Sequence, residues 1–270
     1  NGVETICEFF GRELANQIAE THGQADALIG TNVMCHIPDL HSVAAGVKRL
    51  LKPKGVLVFE DPYLGDIVTK TSYDQIYDEH VFYFSANSVK YLFAMHDLEL
   101  IDVIHQDVHG GSMRYVLAHP GAYPVSDQVS KCLAAEDAMG LRQSETYHGL
   151  KARIEASRDN LLSVLEALRA DDKRVVGYGA TSKSTTITNY CGITPDLVEF
   201  ISDTTPIKQG KYSPGAHIPV RPYSEFQIEY PDVALLFAWN HTKEIMEKET
   251  SYRQQGGQWL VYVPQVEMLS

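Results

Sequence analysis

"KRVVGYGATSKSTTITNYCG", residues 173–192, is the stretch that decides the fold class. An apolar run leads into Gly177 and Gly179, and a helix-forming segment follows. This order predicts a buried strand, a tight turn and a helix, the repeating unit of an α/β protein with a parallel sheet. A helix start offers N–H groups and a positive dipole end, and Ser182 and Lys183 add donors and charge. The turn is therefore predicted to bind an anion, although an ordinary glycine-rich turn would have the same composition.

The residues after this turn repeat the alternation of strand and helix. Strands are predicted at "LVEFISDTTP", "HIPVRPYSEF", "VALLFAWN" and "QWLVYVP", with a helix over residues 241–255. Together they predict a smaller Rossmann-like parallel sheet over residues 173–270. An NAD-dependent oxidoreductase built on this sheet is one reading, but "GYGATSKS" lacks the complete GxGxxG pattern, which argues against it.

An α/β pattern also occupies the first 122 residues. "GVLVFEDP" (55–62) is apolar on both faces, as expected for a parallel strand covered by helices, and "ADALIGTNVMCHI" (25–37) predicts a buried strand before it. The segment between them predicts a helix with Asp39 as its N-cap. Residues 85–97 predict a further helix, and "LELIDVIHQ" and "SMRYVLAHP" predict an antiparallel hairpin.

Residues 124–171 carry no strand pattern, and their apolar positions recur at helical spacing, which predicts one or two long helices. We therefore predict three parts: residues 1–122, a helical connector over 123–172, and residues 173–270.

Composition limits the partners that this chain can have. Its net charge of −12 argues against nucleic acid and anionic membranes as partners, whereas a small anionic ligand needs only a few local cations. No apolar run approaches the ~18–20 residues of a membrane helix. The four cysteines are scattered without a CxxC pair, which predicts neither a metal site nor a disulfide framework and favours a reducing, cytoplasmic setting.

The long loop "SDTTPIKQGKYSPGAHIPV" (202–220) carries a concentration of polar and charged residues. Asp203 lies where the acid after a second strand often meets a ribose hydroxyl. Lys208, Lys211 and His217 add positive or titratable groups, and long loops of this kind are often functional. A solvated loop without a role is the alternative.

Two other strand ends carry polar side chains. "FAWNHTKEI" (237–245) places Trp239 and Asn240 where ligands of parallel sheets bind, beyond the carboxyl end of a strand. "TNVMCHIPD" (31–39) contains His36, although a lone histidine is more often structural.

"YDQIYDEHVFYFS" (73–85) combines acid, phenol and imidazole groups in an aromatic segment. His80 is the side chain best able to take a proton near neutral pH. Glu79 can orient its ring, and Tyr77 can donate to a developing oxyanion. The pattern predicts acid–base chemistry in a pocket that excludes water, with a tyrosine-rich packing segment as the alternative.

These motifs, together with "HGGSMRY", "VVGYGATSKS", "DTTPIKQGKYSPGAHIPV" and "LLFAWNH", occur in the same order in a known family. Over residues 7–264 the chain resembles the nucleotide-sugar C-methyltransferases, which use S-adenosylmethionine to methylate C3 of a dTDP-4-keto-deoxyhexose. The resemblance implies that residues 1–122 are the second half of a class I methyltransferase domain and that residues 173–270 bind the nucleotide sugar.

The family also has an N-terminal zinc module and a glycine-rich turn that holds the methyl donor. Neither has a counterpart in this sequence, so zinc is expected only in that module. An inactive fragment that only binds the nucleotide sugar is the alternative that this difference leaves open.

The resemblance assigns binding roles to individual residues. Asn32 and Val33 end the fourth class I strand and form a wall of the donor site, and His36 faces the sugar. The surfaces near the nucleotide are marked by Ser182, Lys183, Thr204, Lys208, Arg221 and Asn240.

Tyr77, Glu79 and His80 match the family's catalytic cluster. The ketone at C4 acidifies the hydrogen on C3, so a base can remove it, most readily His80 oriented by Glu79. His36 or Tyr77 would donate to the enolate oxygen, and the carbon would then take the methyl group. Tyr77 as the base is the alternative, because neighbouring groups can lower the pKa of a phenol.

Overall fold

The computed structural model describes residues 2–270, which form two units. Unit 1 contains the chain up to Asp66 and Asp78–Thr146, and unit 2 contains Ile67–Tyr77 and Tyr147–Ser270. The segment 67–77 therefore belongs with the C-terminal half of the chain. The predicted part boundaries at residues 122 and 172 remain predictions.

Unit 1 is built on a four-stranded mixed sheet. Its elements in chain order, with α3 and α6 continuing into unit 2, are α1 (Arg12–Thr21), β1 (Ala25–Thr31), α2 (Leu40–Leu50), β2 (Leu51–Pro62), α3 (Leu64–Lys70), α4 (Ala86–Ala94), β3 (Glu99–Gln106), β4 (Ser112–Ala118), α5 (Asp127–Met139) and α6 (Ser144–Ala170). The strand order is β1-β2-β4-β3, with β1 parallel to β2 and β4 antiparallel to both of its neighbours. The predicted hairpin of β3 and β4 is confirmed.

Helix α2 begins at its predicted cap, because the Asp39 side chain accepts the backbone N–H of Ser42 at 2.9 Å. The core beneath the helices is aromatic: Phe59 packs on Tyr115 with ring centroids 4.9 Å apart, and both rings are buried. Strand β1 differs from its prediction as a buried strand, since Ile29 is 78% exposed. Among the described residues β1 is an edge strand paired only with β2, so much of its surface lacks cover.

Unit 2 is built on a six-stranded sheet. Its further elements are β5 (Val175–Tyr178), α7 (Ser182–Cys191), β6 (Ile201–Asp203), β7 (Val220–Pro222), α8 (Tyr223–Ile228), β8 (Val233–Leu236), α9 (Thr242–Lys248), α10 (Thr250–Gln254), β9 (Gln258–Val261) and β10 (Glu267–Leu269). The order is β10-β9-β8-β5-β6-β7, and every pair is parallel except β9 with β10.

Strand β5 lies between β6 and β8. After β5 the chain adds β6 and β7 on one side of it, and it then adds β8 and β9 on the other side. The crevice at such a switch point is where open α/β sheets bind ligands. This topology places the predicted anion-binding turn after β5 beside the segment after β8.

The single helix predicted over residues 241–255 is two helices, α9 and α10. They are separated at Glu249, whose buried carboxylate accepts the hydroxyls of Tyr178 and Tyr223 at 2.7 Å each. The prediction of an α/β fold is confirmed. No helix within residues 2–270 is long and apolar enough to cross a membrane.

Candidate active site

A short 3₁₀ helix at the carboxyl end of β1 positions the first group of predicted site residues in unit 1. Asn32 adopts a positive φ of 50°, and its N–H donates to the carbonyl of Glu60 at 2.7 Å. The 3₁₀ helix Met34–His36 follows, with Cys35 buried and His36 half-buried. The bend turns the chain away from the sheet and displays His36 beside the strand end.

Residues 79–82 are bound to this 3₁₀ helix by three hydrogen bonds. The backbone N–H groups of Val81 and Phe82 donate to the carbonyl of Cys35 at 2.9 and 3.2 Å. Nδ1 of His36 lies 2.7 Å from the carbonyl oxygen of Glu79, so this nitrogen carries the proton that is donated. In the neutral ring, Nε2 of His36 consequently has the lone pair.

These bonds bring together two of the predicted catalytic histidines. The ring centroids of His36 and His80 are 5.1 Å apart, and those of His80 and Tyr83 are 5.9 Å apart in a T-shaped arrangement. His80 is half-buried, so its imidazole is close to both protein and solvent. The structure thus places the two imidazoles side by side, and their roles in proton transfer stay predictions.

The other two members of the predicted catalytic cluster, Glu79 and Tyr77, differ in their surroundings. The backbone carbonyl of Glu79 holds His36, whereas the Glu79 side chain is exposed to solvent. Tyr77 is half-buried and is the last residue of the segment 67–77 that belongs to unit 2. The roles of Glu79 and Tyr77 in catalysis stay predictions.

Asn32 and Val33 are exposed at the carboxyl end of β1, as a wall for a ligand requires. The Asn32 side-chain amide lies 3.3 Å from Nε2 of His109. His109 belongs to the "HGGSMR" turn, for which the sequence suggested only a tight hairpin turn. In that turn Gly111 has φ +127°, and a Cβ there would lie 2.2 Å from the Asp66 carboxylate, so only glycine fits.

Asp61 is a site residue that the sequence analysis missed. It follows Glu60 at the end of β2 and is 0% exposed. Burial raises its pKa to about 6, although the Cys35 thiol, the amides of residues 34 and 35 and His36 lie close enough to oppose the shift. None of these donors reaches hydrogen-bond geometry with either carboxylate oxygen among residues 2–270. An acid within the last residues of a predicted buried strand was the available signal.

In unit 2 the predicted anion-binding turn opens on a cavity of about 450 Å³. Ser182 and Lys208, both predicted as substrate ligands, line it together with Lys211. Helix α7 begins there with Thr181 as its N-cap, whose side chain accepts the N–H of Ser184 at 3.1 Å. Two lysines and a helix N-terminus give the cavity the character of an anion site.

Asp203 is buried beside this cavity and bonds to two of its lining residues, Ala180 and Lys208. Its carboxylate accepts the N–H groups of Ala180 and Thr205 at 2.7 Å each and lies 3.5 Å from the Lys208 ammonium. Although desolvation opposes it, these bonds and the Lys208 charge hold the pKa of Asp203 below its ordinary value. The carboxylate thus bonds to the chain's own donors, and the contact of Asp203 with a ribose hydroxyl remains a prediction.

Lys183 and Asn240 are brought together at the switch point. The Lys183 ammonium donates to the Asn240 side-chain oxygen at 3.1 Å and lies 4.6 Å from the centre of the Trp239 ring. Burial lowers the pKa of Lys183, and the charge of Asp74 opposes that change. Lys183 therefore interacts with the buried Asp74 in the interior of unit 2 as well as with Asn240 and Trp239 at the switch point.

Asp74, which the sequence analysis did not single out, anchors the first part of the tyrosine-rich segment. It is fully buried, and its Oδ2 accepts Trp239 Nε1 at 2.5 Å and the Tyr262 hydroxyl at 2.8 Å. Burial raises the pKa of Asp74, and the Lys183 charge opposes this. These bonds hold residues 73–75 to the carboxyl end of the second sheet.

The remaining predicted substrate ligands lie elsewhere in unit 2. Thr204 lines a separate cavity of about 180 Å³ beside Tyr178. The Arg221 guanidinium lies 3.4 Å from Glu199 and 3.5 Å from Glu225, on strand β7. The structure does not bring these two residues to the lysine-lined cavity.

Comparison with known proteins matches almost the whole chain to methyltransferases. Residues 107–264 match the family described as C-methyltransferase C-terminal domain, and residues 2–103 match the family described as Methyltransferase domain. The chain is 38% identical over 271 residues to C-methyltransferase NovU of Streptomyces niveus, covering 100% of this chain and 64% of NovU. It thus spans less than two thirds of that relative's length.

Solved structures are more distant. The SAM-dependent methyltransferase of Anabaena variabilis ATCC 29413 is 17% identical over 40% of this chain and 55% of its own, with a TM-score of 0.32. M1.HpyAVI is 13% identical over 40% of this chain and 50% of its own, with a TM-score of 0.26. Similarity this low supports no conclusion about the site.

Proposed function

This chain belongs to the C-methyltransferase family, and from that premise we propose that it acts in S-adenosylmethionine-dependent methylation of C3 in a dTDP-4-keto-deoxyhexose. The match of residues 107–264 establishes the family. The sugar, the position of methylation and the residue roles are the proposal. The observation that carries it is the pairing of His36 with His80, whose rings lie 5.1 Å apart beside a strand end.

His80 is the proposed base. The C4 ketone makes the C3 hydrogen acidic, so the imidazole takes this proton while the C3–H electron pair moves towards the carbonyl oxygen. Its half-buried position leaves the ring accessible to a ligand without full solvation. General base catalysis by a positioned side chain accounts for about 10²–10⁴ in rate.

His36 is the proposed donor to the resulting enolate oxygen. Its Nδ1–H is fixed on the carbonyl of Glu79, so a proton on Nε2 gives an imidazolium whose charge that carbonyl stabilises. Such a cation both donates to and neutralises a developing oxyanion. Glu79 therefore acts in this proposal through its backbone rather than through its carboxylate.

The exposed Asn32 and Val33 fit one wall of a donor site at the strand end. S-adenosylmethionine, when bound, would supply an electrophilic methyl group: its S–CH₃ bond would break as the C3–CH₃ bond forms, and S-adenosylhomocysteine would leave. The residues of this chain position the sugar and transfer the proton. Holding C3 and the methyl group nearly in contact matters as much as the basicity of His80.

The cavity of unit 2 is the proposed site of the nucleotide diphosphate. Ser182, Lys208 and the start of α7 supply donors and positive charge at its wall. We expect Lys208→Ala to weaken dTDP binding in isothermal titration, and Lys243→Ala, an exposed lysine outside the cavity, to leave it unchanged. Equal affinities of both variants would remove the cavity from the proposal.

Exchange of the C3 hydrogen tests the base without a methyl donor. In D₂O, mass spectrometry should show deuterium entering C3 of the keto sugar with the unaltered protein, and about 10²-fold or more slowly with His80→Asn. His148→Gln, an exposed histidine on α6, is the matched control and should retain normal exchange. Retained exchange in His80→Asn would contradict the assignment, and its loss in Tyr77→Phe alone would transfer the role to Tyr77.

A chain that only binds the nucleotide sugar is distinguished by two titrations. Binding of dTDP together with S-adenosylhomocysteine supports an enzymatic role for this chain. Binding of dTDP alone, without hydrogen exchange at C3, supports the binding-only alternative.

A further inference from the structure

We propose that Cys35, His36 and His80, with Asp61 as the fourth group, form a binding site for a borderline-soft divalent ion such as Zn²⁺. This goes beyond the proposed methyl transfer and concerns the same two histidines. No metal site was predicted from the sequence, because its four cysteines are scattered without a CxxC pair.

The ligand atoms are already close together. The Cys35 sulfur and one ring nitrogen each of His36 and His80 lie within 4.8 Å of one another. In a tetrahedral zinc site with Zn–S near 2.3 Å and Zn–N near 2.0 Å, such atoms are about 3.5 Å apart. Roughly an ångström of side-chain movement therefore completes the geometry, and half-buried imidazoles can move that far.

The backbone prepares one of the ligands. Nδ1 of His36 donates to the Glu79 carbonyl at 2.7 Å, so the lone pair is on Nε2. Metal-binding histidines almost always have such a partner on the second nitrogen, since it fixes the tautomer and the ring orientation. Val81 and Phe82 bond to the Cys35 carbonyl and hold both loops at this point.

Asp61 is the independent indication of a cation. Its side chain is fully buried beside Cys35 and His36. The Cys35 thiol and the amides of residues 34 and 35 lie nearby, but within residues 2–270 neither carboxylate oxygen has a donor in hydrogen-bond geometry. A buried carboxylate without well-aligned donors is costly unless a positive charge accompanies it. One thiolate and one carboxylate neutralise one divalent ion, so the loaded site carries no net charge.

Binding changes the protonation of one group in a defined way. The Cys35 thiol transfers its proton to solvent and coordinates as the thiolate, while both imidazoles bind in their neutral forms. The ion then occupies the lone pairs that proton abstraction requires. A loaded site is therefore unable to act as the proposed base, and the metal would inhibit methyl transfer.

Titration of the chain with Co²⁺ tests the site optically, without sugar or methyl donor. We expect one equivalent to produce the thiolate-to-cobalt charge-transfer band and the visible bands of tetrahedral coordination, and added Zn²⁺ to remove them. Cys35→Ser should abolish the charge-transfer band. Cys7→Ser, which removes an exposed thiol, is the matched control and should retain it.

Two further variants test the other ligands. His80→Asn changes a half-buried side chain and should lose the tetrahedral bands even if Cys35→Ser fails to fold. Asp61→Asn should weaken Co²⁺ affinity about 10- to 100-fold, as the loss of a supporting group does in known sites.

Three results would overturn the site: no charge-transfer band at one equivalent, a band that persists in Cys35→Ser, or a band unchanged by both His80→Asn and Asp61→Asn. Failure of hydrogen exchange at C3 would contradict only the proposed base. The two proposals can thus fail separately.

Discussion

Replacing Asp203 by Asn should destabilise unit 2, and the hydrogen bonds of the Asp203 carboxylate set the expected size of the effect. The carboxylate accepts the N–H groups of Ala180 and Thr205 at 2.7 Å each, and Asn keeps only one acceptor oxygen. A hydrogen bond to a charged group contributes about 1.5–3 kcal/mol. The ion pair with half-exposed Lys208 adds ~0–1 kcal/mol. The expected loss of unfolding free energy near neutral pH is about 2–4 kcal/mol.

The pH dependence provides a second test of the same variant. Because the folded-state pKa of Asp203 is lowered, its stabilisation is fully present above the ordinary carboxyl pKa of about 3.9. It is lost as the pH falls through the lower folded-state value. The stability difference between the unaltered chain and Asp203→Asn should therefore be constant from neutral pH to about pH 5 and narrow below pH 4.

Urea unfolding followed by tryptophan fluorescence measures this difference. Both tryptophans, Trp239 and Trp259, belong to unit 2, so the signal reports the unit that carries the substitution. Glu225→Gln is the control, because its half-exposed pair with Arg221 should contribute only ~0–1 kcal/mol. Equal stability of Asp203→Asn and the unaltered chain near neutral pH, or a difference that persists undiminished in acid, would refute the argument.

Three other substitutions have defined outcomes. Gly111→Ala should lower the melting temperature of unit 1, monitored by circular dichroism, because its φ is +127° and its Cβ would lie 2.2 Å from a carboxylate oxygen. Gly121→Ala, with φ +72° and open space, should cost only about 1 kcal/mol, and equal effects would contradict the steric argument. Glu136→Gln should destabilise by about 2–4 kcal/mol in urea unfolding, because the buried carboxylate caps the start of α4 through two backbone N–H groups; a loss below 1 kcal/mol would contradict this. Lys183→Ala should lower the stability of unit 2 by about 2 kcal/mol or more, because it leaves Asp74 without its neighbouring positive charge, and it should weaken dTDP binding less than Lys208→Ala does.

Local patterns in the sequence were sufficient for much of the fold. Apolar strands followed by glycine and a helix predicted the unit around β5, and the turn between two alternating segments predicted the β3–β4 hairpin. Asp39 was recognisable as a cap because capping depends on a side chain and an N–H only a few residues away. Where local preference and tertiary packing agree, sequence reading succeeds.

Local sequence patterns did not predict the exposure of β1 or the break between α9 and α10. An apolar strand is consistent with either the centre or the edge of a sheet, and only strand order assigns β1 to the edge. The break follows from Glu249, whose buried carboxylate binds two tyrosine hydroxyls distant in sequence. Long-range partners decided both features.

For the candidate site, the sequence by itself determined the chemical types: His36 and His80 as proton carriers, and Ser182 and Lys208 as anion ligands. Tertiary structure alone decided which of them meet. Two backbone bonds and one side-chain bond between residues 79–82 and 35–36 place the two imidazoles together. On strand β7, Val220 lines the lysine-lined cavity, whereas its neighbour Arg221 pairs with Glu199 and Glu225 instead. The tertiary structure also buries Asp61, and among the described residues no donor reaches hydrogen-bond geometry with its carboxylate. Side-chain identity is a local property, whereas proximity and desolvation depend on residues far apart in the chain, which is why only the fold could supply them.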